Sequence, residues 1–210
     1  MKRILTALVL IPLVVYLVLW APEWALIVAL AIVGVLAFLE YSRIVRPAFS
    51  PALLAGVVYV FGPLTLAVFL RRLNPHWLMF ALLLSWAGDT VAMYVGKSIG
   101  KHKLAPVISP NKTWEGAIGS VAGSVAAGLI YKHYLIAGPI WIAATLAILG
   151  NIAGQLGDLF ESWLKRRANI KDSGASLPGH GGWLDRIDSM LFTIPIVYVF
   201  VWFFFATVRW

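Results

Sequence analysis

Four acidic residues in the last third of the chain have the spacing of metal ligands. Asp158 and Glu161 are three residues apart, as are Asp185 and Asp188, so in a helix each pair lies on one face. Two such pairs facing each other would bind hard divalent cations, and Mg²⁺ typically takes one or two carboxylates together with substrate phosphates. Two metals about 3.5–4 Å apart would stabilise the attacking and leaving oxygens of a phosphoryl or nucleotidyl transfer. The pattern therefore predicts metal-assisted phosphate chemistry.

The loop between these two pairs carries groups that suit a phosphate. Its basic residues are Lys165, Arg166, Arg167 and Lys171. The glycine-rich stretch "PGHGG" (178–182) offers backbone N–H groups without side chains that would block approach, and it precedes a predicted helix. Two simpler interpretations stay open, because the basic residues alone are typical of a cytoplasmic membrane loop and His180 could be a solvated loop histidine.

Other acidic residues lie within or beside the apolar segments. Asp89 is in the middle third of the fourth segment and Asp158 is near the end of the sixth. An ionised carboxylate at that depth costs several kcal/mol unless a partner or water relieves it. Asp89 therefore indicates either a water-filled site or a structural bond to a neighbouring helix. Glu23 and Glu40 fall at segment ends and are interpreted as ordinary interfacial residues.

The stretch "ISPNKTWEGA" (108–117) is a second candidate binding loop. Ser109 begins a sequence typical of a turn, and Thr113 can cap the helix that follows it. Lys112 could reach a phosphate or serve only as an anchor at the membrane interface.

Composition shows what kind of molecule must position these residues. The chain is 61% hydrophobic and 12% charged, whereas a soluble domain is about one-quarter charged. Its mean hydropathy is +0.87. The sequence predicts an all-α polytopic membrane protein of about seven spans with a polar, cytoplasm-facing cavity. The predicted segments are 4–20, 24–40, 52–70, 77–96, 114–131, 139–160 and 187–207.

Residue types set further limits. Cysteine is absent, which excludes disulfides and thiolate metal sites. No small-residue cleavage site follows the first apolar run, so we expect a retained first helix and not a signal peptide. Gly34, Gly56, Gly119, Gly123 and Gly128 lie inside the segments and indicate close helix packing.

The distribution of basic residues predicts the topology. With a cytoplasmic N-terminus and seven spans, the inside segments hold all of the 17 lysines and arginines except Arg71, Arg72, Lys132 and Arg209. The polar connections 97–113 and 161–186 then both face the cytoplasm, where nucleotides are found. This bias accounts for most of the net charge of +8, and no nucleic-acid partner is expected.

Three stretches occur in an order that matches a known family. They are "GDTVAMYVGKSIGKHKLAPVISPNKTWEG", "GQLGDLFES" and the run 162–188. In that run the matching positions are Ser162, Leu164, Lys165, Arg166, Lys171, Asp172, Gly174, Leu177, Pro178, His180, Gly181, Gly182, Asp185, Arg186, Ile187 and Asp188. Over roughly residues 85–190 the chain thus resembles the CDP-diacylglycerol synthases, also called phosphatidate cytidylyltransferases.

The resemblance implies a nucleotidyltransferase that condenses CTP with phosphatidate, giving CDP-diacylglycerol and pyrophosphate, with Mg²⁺ as cofactor. It implies a two-metal centre at Asp158 and Asp185, supported by Glu161 and Asp188, with a monovalent cation such as K⁺ as an alternative at one position. The implied catalytic residues are Asp158, Asp185, Asp188, Lys171 and His180. The implied substrate-binding residues are Lys165, Arg166, Asp172, Gly181, Gly182, Arg186, Ser109, Lys112, Thr113 and Asp89.

The resemblance also suggests an organisation. We expect a homodimer among membrane lipids in a bacterial cytoplasmic membrane, with its active site facing the cytoplasm. Residues 1–76 would form about three N-terminal spans and 77–210 the catalytic transmembrane region, together in one structural domain. Asn111 and Trp183 depart from the family pattern, where lysine and a smaller aliphatic residue or Phe are usual. The chain is also shorter than many members.

Two other functions compete with this one. A related CTP-dependent enzyme could use a polyprenol or an archaeal ether lipid as acceptor. A cation-coupled transporter predicts carboxylates at mid-membrane and often a repeat. Here the acids gather beside a phosphate-compatible loop and the sequence shows no repeat, so we favour an enzyme.

Overall fold

The computed structural model describes residues 2–45, 51–136, 138–174, 176 and 181–207. Its helices are α1 (Lys2–Leu19), α2 (Glu23–Ile44), α3 (Pro51–Leu73), α4 (Pro75–Ile99), α5 (Trp114–Leu135), α6 (Ile140–Arg167), α7 (Leu184–Ile187) and α8 (Met190–Thr207). A short antiparallel hairpin of β1 (Lys103–Ala105) and β2 (Ser109–Thr113) lies between α4 and α5. The predicted helical fold is therefore confirmed, with this hairpin as an addition that the sequence analysis did not foresee.

Five helices in the described part of the chain are long and apolar enough to cross a membrane. They are α2, α3, α4, α6 and the stretch 184–204, which joins α7 to most of α8. The apolar part of α1 is shorter, and α5 is not among the five. Each of the seven predicted segments nevertheless coincides with a helix, and the count of seven spans stays a prediction.

Side chains at the helix starts fix where two of the helices begin. The Asn74 side chain accepts a hydrogen bond from the His76 N–H at 2.9 Å, and Pro75 occupies the first position of α4, where its missing N–H costs nothing. The Thr113 hydroxyl accepts from the Gly116 N–H at 3.1 Å at the start of α5, which confirms the predicted cap.

Helices α4 and α5 pack closely because glycines face bulky residues across the interface. A Cβ added at Gly123 would lie 2.5 Å from Val91, and one added at Gly119 would lie 2.9 Å from Val95. Side chains larger than hydrogen would separate the helices, so the predicted packing role of these glycines is confirmed.

A buried polar network joins α4, α5 and α6. The Asn151 amide donates to Ser120 and Ser124 at 3.0 and 2.8 Å, and the Ser124 hydroxyl donates to the Leu84 carbonyl at 2.7 Å. Gln155 donates to the Asn151 carbonyl oxygen at 2.7 Å. Because buried polar groups without partners are costly, this connected set fixes how the three helices meet.

The two ends of the helical bundle differ in character. At one end Arg71 donates to the carbonyl oxygens of Val18 and Ala21, and Arg72 pairs with Glu23. At the other end lie the hairpin, the C-terminal part of α2 and residues 168–174 and 181–187. The two long polar connections therefore lie together, as predicted, and Arg166 joins them by donating to the Ile108 carbonyl oxygen at 3.2 Å.

Candidate active site

An open cavity of about 580 Å³ lies between α4, the hairpin, α5 and α6. Its polar lining residues are Asp89, Lys97, Lys103, Asn111, Lys112, Thr113, Ser120, Gln155 and Asp158. Three lysines thus face two carboxylates in one space. The cavity has room for a phosphate-bearing ligand and the positive charge to attract one.

An ion pair crosses this cavity. The Lys112 ammonium nitrogen lies 2.6 Å from Asp158 Oδ2, and the two side chains are 25% and 32% exposed. The hairpin therefore places Lys112 against the α6 helix. Asp89 has an exposed side chain in the same cavity and no hydrogen-bond or ion-pair partner among the described residues. This placement favours the water-filled site over the structural bond.

A second lysine, Lys165, forms a buried charged cluster. Its ammonium nitrogen lies 2.8 Å from Glu161 Oε2 and 2.6 Å from Asp185 Oδ1, and the three side chains are 11%, 0% and 7% exposed. Asp185 Oδ2 also accepts from the backbone N–H groups of Gly182, at 2.8 Å, and Ser173, at 3.1 Å. Charge-assisted bonds of this kind are strong, so Asp185 is held from several directions.

Gly181 and Gly182, the described part of the glycine stretch, lie close to this cluster. Gly181 has a φ of +80°, a conformation that other residues rarely adopt, and a Cβ there would lie 2.6 Å from Asp185 Oδ2. Both constraints require glycine. The Gly182 N–H donates to Asp185, so in this state it is not free for a phosphate.

Asp188, the remaining predicted metal ligand, follows Asp185 by three residues. Asp188 Oδ1 accepts a hydrogen bond from the Ser189 N–H at 2.7 Å. Glu161 Oε1 is buried without a partner in the described part of the chain. A buried carboxylate oxygen without a partner is costly, so Glu161 Oε1 needs a proton, a water molecule or a cation beside it.

Three of the four predicted metal ligands are divided between the open cavity and the Lys165 cluster. Asp158 pairs with Lys112 in the open cavity, whereas Glu161 and Asp185 pair with Lys165. Across the described ranges, no group of three or more His, Asp or Glu side chains has the arrangement of a metal site. The two-metal centre therefore stays a prediction.

The remaining predicted site residues surround these clusters. Lys171, Asp172 and Arg186 are exposed. Ser109 lies in β2, and Arg166 donates to the carbonyl oxygens of Ile108 and Ile170, which places it outside the cavity. His180 lies outside the described residues.

Glu40 is the residue that the sequence analysis interpreted wrongly. It is 2% exposed and not an interfacial residue. Its Oε2 accepts from the Ser173 hydroxyl at 2.8 Å and the Leu184 N–H at 2.9 Å, and its Oε1 accepts from the Ser176 hydroxyl at 2.9 Å. The only sequence signal was the pair of serines at 173 and 176, whose hydroxyl groups need an acceptor.

The fold and the site define a helical membrane protein with a charged cavity beside a buried lysine–carboxylate cluster. The chain belongs to the cytidylyltransferase family, whose model matches residues 52–204. This finding confirms the resemblance drawn from the three motifs.

Curated relatives give a more specific comparison. A phosphatidate cytidylyltransferase from Brucella abortus biovar 1 (strain 9-941) is 43% identical over 150 residues, which is 70% of this chain and 55% of the relative. Proteins of the same name from Staphylococcus saprophyticus and Staphylococcus aureus (strain COL) are 47% and 46% identical over 125 and 123 residues. In each of these two matches the aligned part is 58% of this chain and 47% of the relative. The chain spans about half the length of the curated relatives it matches.

Proposed function

We propose that this chain catalyses the condensation of CTP with phosphatidate to give CDP-diacylglycerol and pyrophosphate. The observation that carries the proposal is the cavity in which Lys97, Lys103 and Lys112 face Asp89 and Asp158. It lies within residues 52–204, which match the cytidylyltransferase family, and the chain is 43% identical over 150 residues to a relative named phosphatidate cytidylyltransferase.

The chemistry requires positioning and positive charge more than a strong base. A phosphate oxygen of phosphatidate forms a new bond to the α-phosphorus of CTP, and the bond from that phosphorus to the pyrophosphate oxygen breaks. The attacking phosphate is already anionic near neutral pH. Lysines in the cavity would hold the triphosphate and stabilise the negative charge that develops on it.

The carboxylates fit a hard cation such as Mg²⁺, with K⁺ as an alternative at one position. Their metal-coordinating atoms are all oxygens, which Mg²⁺ prefers. Glu161 Oε1 is also buried without a partner among the described residues. Asp158, Glu161, Asp185 and Asp188 would hold the ions. A bound Mg²⁺ would neutralise phosphate charge and polarise the P–O bond. The unfolding temperature of the purified protein, measured with and without Mg²⁺, tests this binding without turnover. Bound Mg²⁺ should raise that temperature.

The location of the site suits two substrates that do not share a solvent. Phosphatidate stays in the bilayer and CTP stays in water, so their reaction needs a polar cavity at the end of membrane helices. We propose a bacterial cytoplasmic membrane, with the cavity facing the cytoplasm and the protein dimeric among membrane lipids. The positive charge of the connections at this end supports that orientation.

The decisive experiment is a reconstituted assay. Purified protein in lipid nanodiscs receives CTP, phosphatidate and Mg²⁺, and the release of CDP-diacylglycerol and pyrophosphate is followed. Asp185→Asn should lower kcat by on the order of 1000-fold, because the charge that holds Lys165 is lost at the site. Glu23→Gln, at the opposite end of the molecule, is the matched control and should retain full activity.

Alternative acceptors separate the competing enzymes. A polyprenol kinase would release CDP in place of pyrophosphate, and an archaeal-type enzyme would prefer an ether lipid. Absence of any CDP-lipid product, with the wild-type protein folded and CTP bound, would contradict the proposal.

A further inference from the structure

Glu40 is a buried carboxylate on α2, outside the residues 52–204 that match the family. It receives three hydrogen bonds, from Ser173, Ser176 and Leu184, at 2.8–2.9 Å. No Lys, Arg or His nitrogen within the described ranges lies within ion-pair distance of it. Its charge is therefore stabilised by neutral donors of a single segment, 173–184, which we call the site loop.

The fit around this carboxylate is tight on two sides. A Cβ added at Gly174 would lie 2.6 Å from Glu40 Oε1, and one added at Gly182 would collide with Oε2. The two glycines belong to opposite halves of the site loop. Glu40 thus holds the beginning and the end of that loop against α2.

One residue connects Glu40 to the charged cluster. The hydroxyl of Ser173 donates to Glu40 Oε2 at 2.8 Å, while its backbone N–H donates to Asp185 Oδ2 at 3.1 Å. The Leu184 N–H, one residue before Asp185, also donates to Glu40. A shift of Glu40 would therefore move two of the groups that set the position of Asp185.

We infer that Glu40 is a positioning residue for the active site, acting through Ser173 and Leu184 to fix Asp185 beside Lys165. The inference rests on the proposed function, because Asp185 is important for catalysis only if the chain is the enzyme proposed above. The role requires hydrogen-bond acceptors at a fixed distance from α2. It does not require the negative charge itself.

Three substitutions separate distance from charge. Glu40→Ala removes the acceptors, and Glu40→Asp keeps the charge but withdraws it by one methylene group. Glu40→Gln keeps the length and one acceptor oxygen, which suffices for Ser173 and Leu184. We expect Ala and Asp to lower kcat on the order of 100-fold, as a misplacement of about 1 Å does, with the KM for CTP changed less. Gln should retain activity within about tenfold of wild type, which corresponds to about 1.4 kcal/mol.

Hydrogen–deuterium exchange of the full chain in detergent micelles supplies a readout that does not depend on turnover. Glu40→Ala should increase exchange in peptides covering 173–187 and leave those from α4 and α5 unchanged. Glu23→Gln, an exposed glutamate on the same helix, is the control for both measurements and should change neither.

Each outcome bears on the inference. Wild-type kcat in Glu40→Ala, exchange raised across the whole molecule, or Gln as inactive as Ala would overturn it. If the wild-type protein makes no CDP-lipid, yet Glu40→Ala shows the local rise in exchange, the proposed function is refuted while the anchoring of the loop is established.

Discussion

Lys112 and Lys165 each pair with carboxylates at the same end of the molecule, but their surroundings differ. Lys112 meets a single acid across an open cavity, and both side chains are about one-quarter to one-third exposed. Lys165 meets two acids, and all three side chains are nearly buried. The first pair joins the hairpin to α6, whereas the second joins α6 to the start of α7.

This difference in burial indicates different roles for the two ion pairs. The Lys112 pair can exchange partners, whereas the Lys165 pair maintains the structure. An exposed ion pair contributes about 0–1 kcal/mol, so Lys112 can leave Asp158 for a phosphate at little cost. A buried pair has lost its hydration, and removing one partner leaves an uncompensated charge. We therefore assign ligand binding to the Lys112 side and organisation of Asp185 to the Lys165 side.

The largest loss of stability among these variants is expected for Lys165→Ala. This change leaves Glu161 and Asp185 buried without their cation, and breaking such a pair costs about 3–5 kcal/mol. Thermal unfolding in detergent should show the loss, and turnover should disappear with it. Lys112→Ala is the matched lysine control. An unfolding temperature equal to that of wild type would show that the Lys165 cluster does not support the fold.

A smaller loss of stability is expected for Gly88→Ala, behind the open cavity. The added methyl group would lie 2.7 Å from Ser124 Oγ and 2.8 Å from Ser120 Oγ, within the network that backs the cavity. Overpacking of this kind costs about 1–3 kcal/mol. Gly62→Ala is the control, because its nearest neighbour, Val58 Cγ1, is 4.0 Å away. Equal unfolding temperatures for the two variants would mean that the network adapts.

Lys112→Ala should affect the ligand and spare the fold. Loss of one cavity lysine should weaken CTP binding about tenfold, or about 1.4 kcal/mol. Stability should change by less than about 1 kcal/mol, because the pair with Asp158 is partly exposed. Equilibrium CTP binding and thermal unfolding measure the two effects, with Lys132→Ala as the control outside the cavity. The opposite result, unchanged affinity with a large loss of stability, would reverse the roles assigned to the two lysines.

Arg72→Gln should change the stability of the protein least and should leave its turnover unchanged. Its pair with Glu23 is 53% and 38% exposed, at the end of the bundle away from the cavity. The unfolding free energy should be almost unchanged, and the remaining difference should shrink further as salt is added. Unfolding temperatures at low and high ionic strength test this, and a change in turnover would contradict the division between the two ends.

Features that depend on near neighbours in the sequence were predicted well. The apolar runs gave the helices, and the Thr113 cap is in place because a cap involves residues only three apart. The glycines of α5 pack as expected, since a missing side chain has the same consequence wherever the helix lies. These are local properties, and spacing alone is sufficient to recognise them.

Contacts between residues that are distant in the sequence could not be predicted from residue spacing. Asp158 and Asp185 pair with different lysines, which the spacing did not indicate, while their predicted shared metal centre stays a prediction. Lys112 reaches Asp158 only because the hairpin folds back toward α6, and no periodicity encodes that contact. Glu40 was misread because a single acid at the end of an apolar run looks the same whether it faces water or a loop that arrives much later in the chain.

The bonds of Glu40 have a consequence for biosynthesis. Its partners Ser173 and Leu184 are made 133 and 144 residues after it. During translation α2 therefore enters the membrane with a carboxylate that has none of these donors, and that carboxylate depends on water or a temporary partner until they arrive. Active-site assembly is thus a late event that requires the growing chain to keep this helix accessible, and a nascent protein halted before residue 173 has no means of completing it.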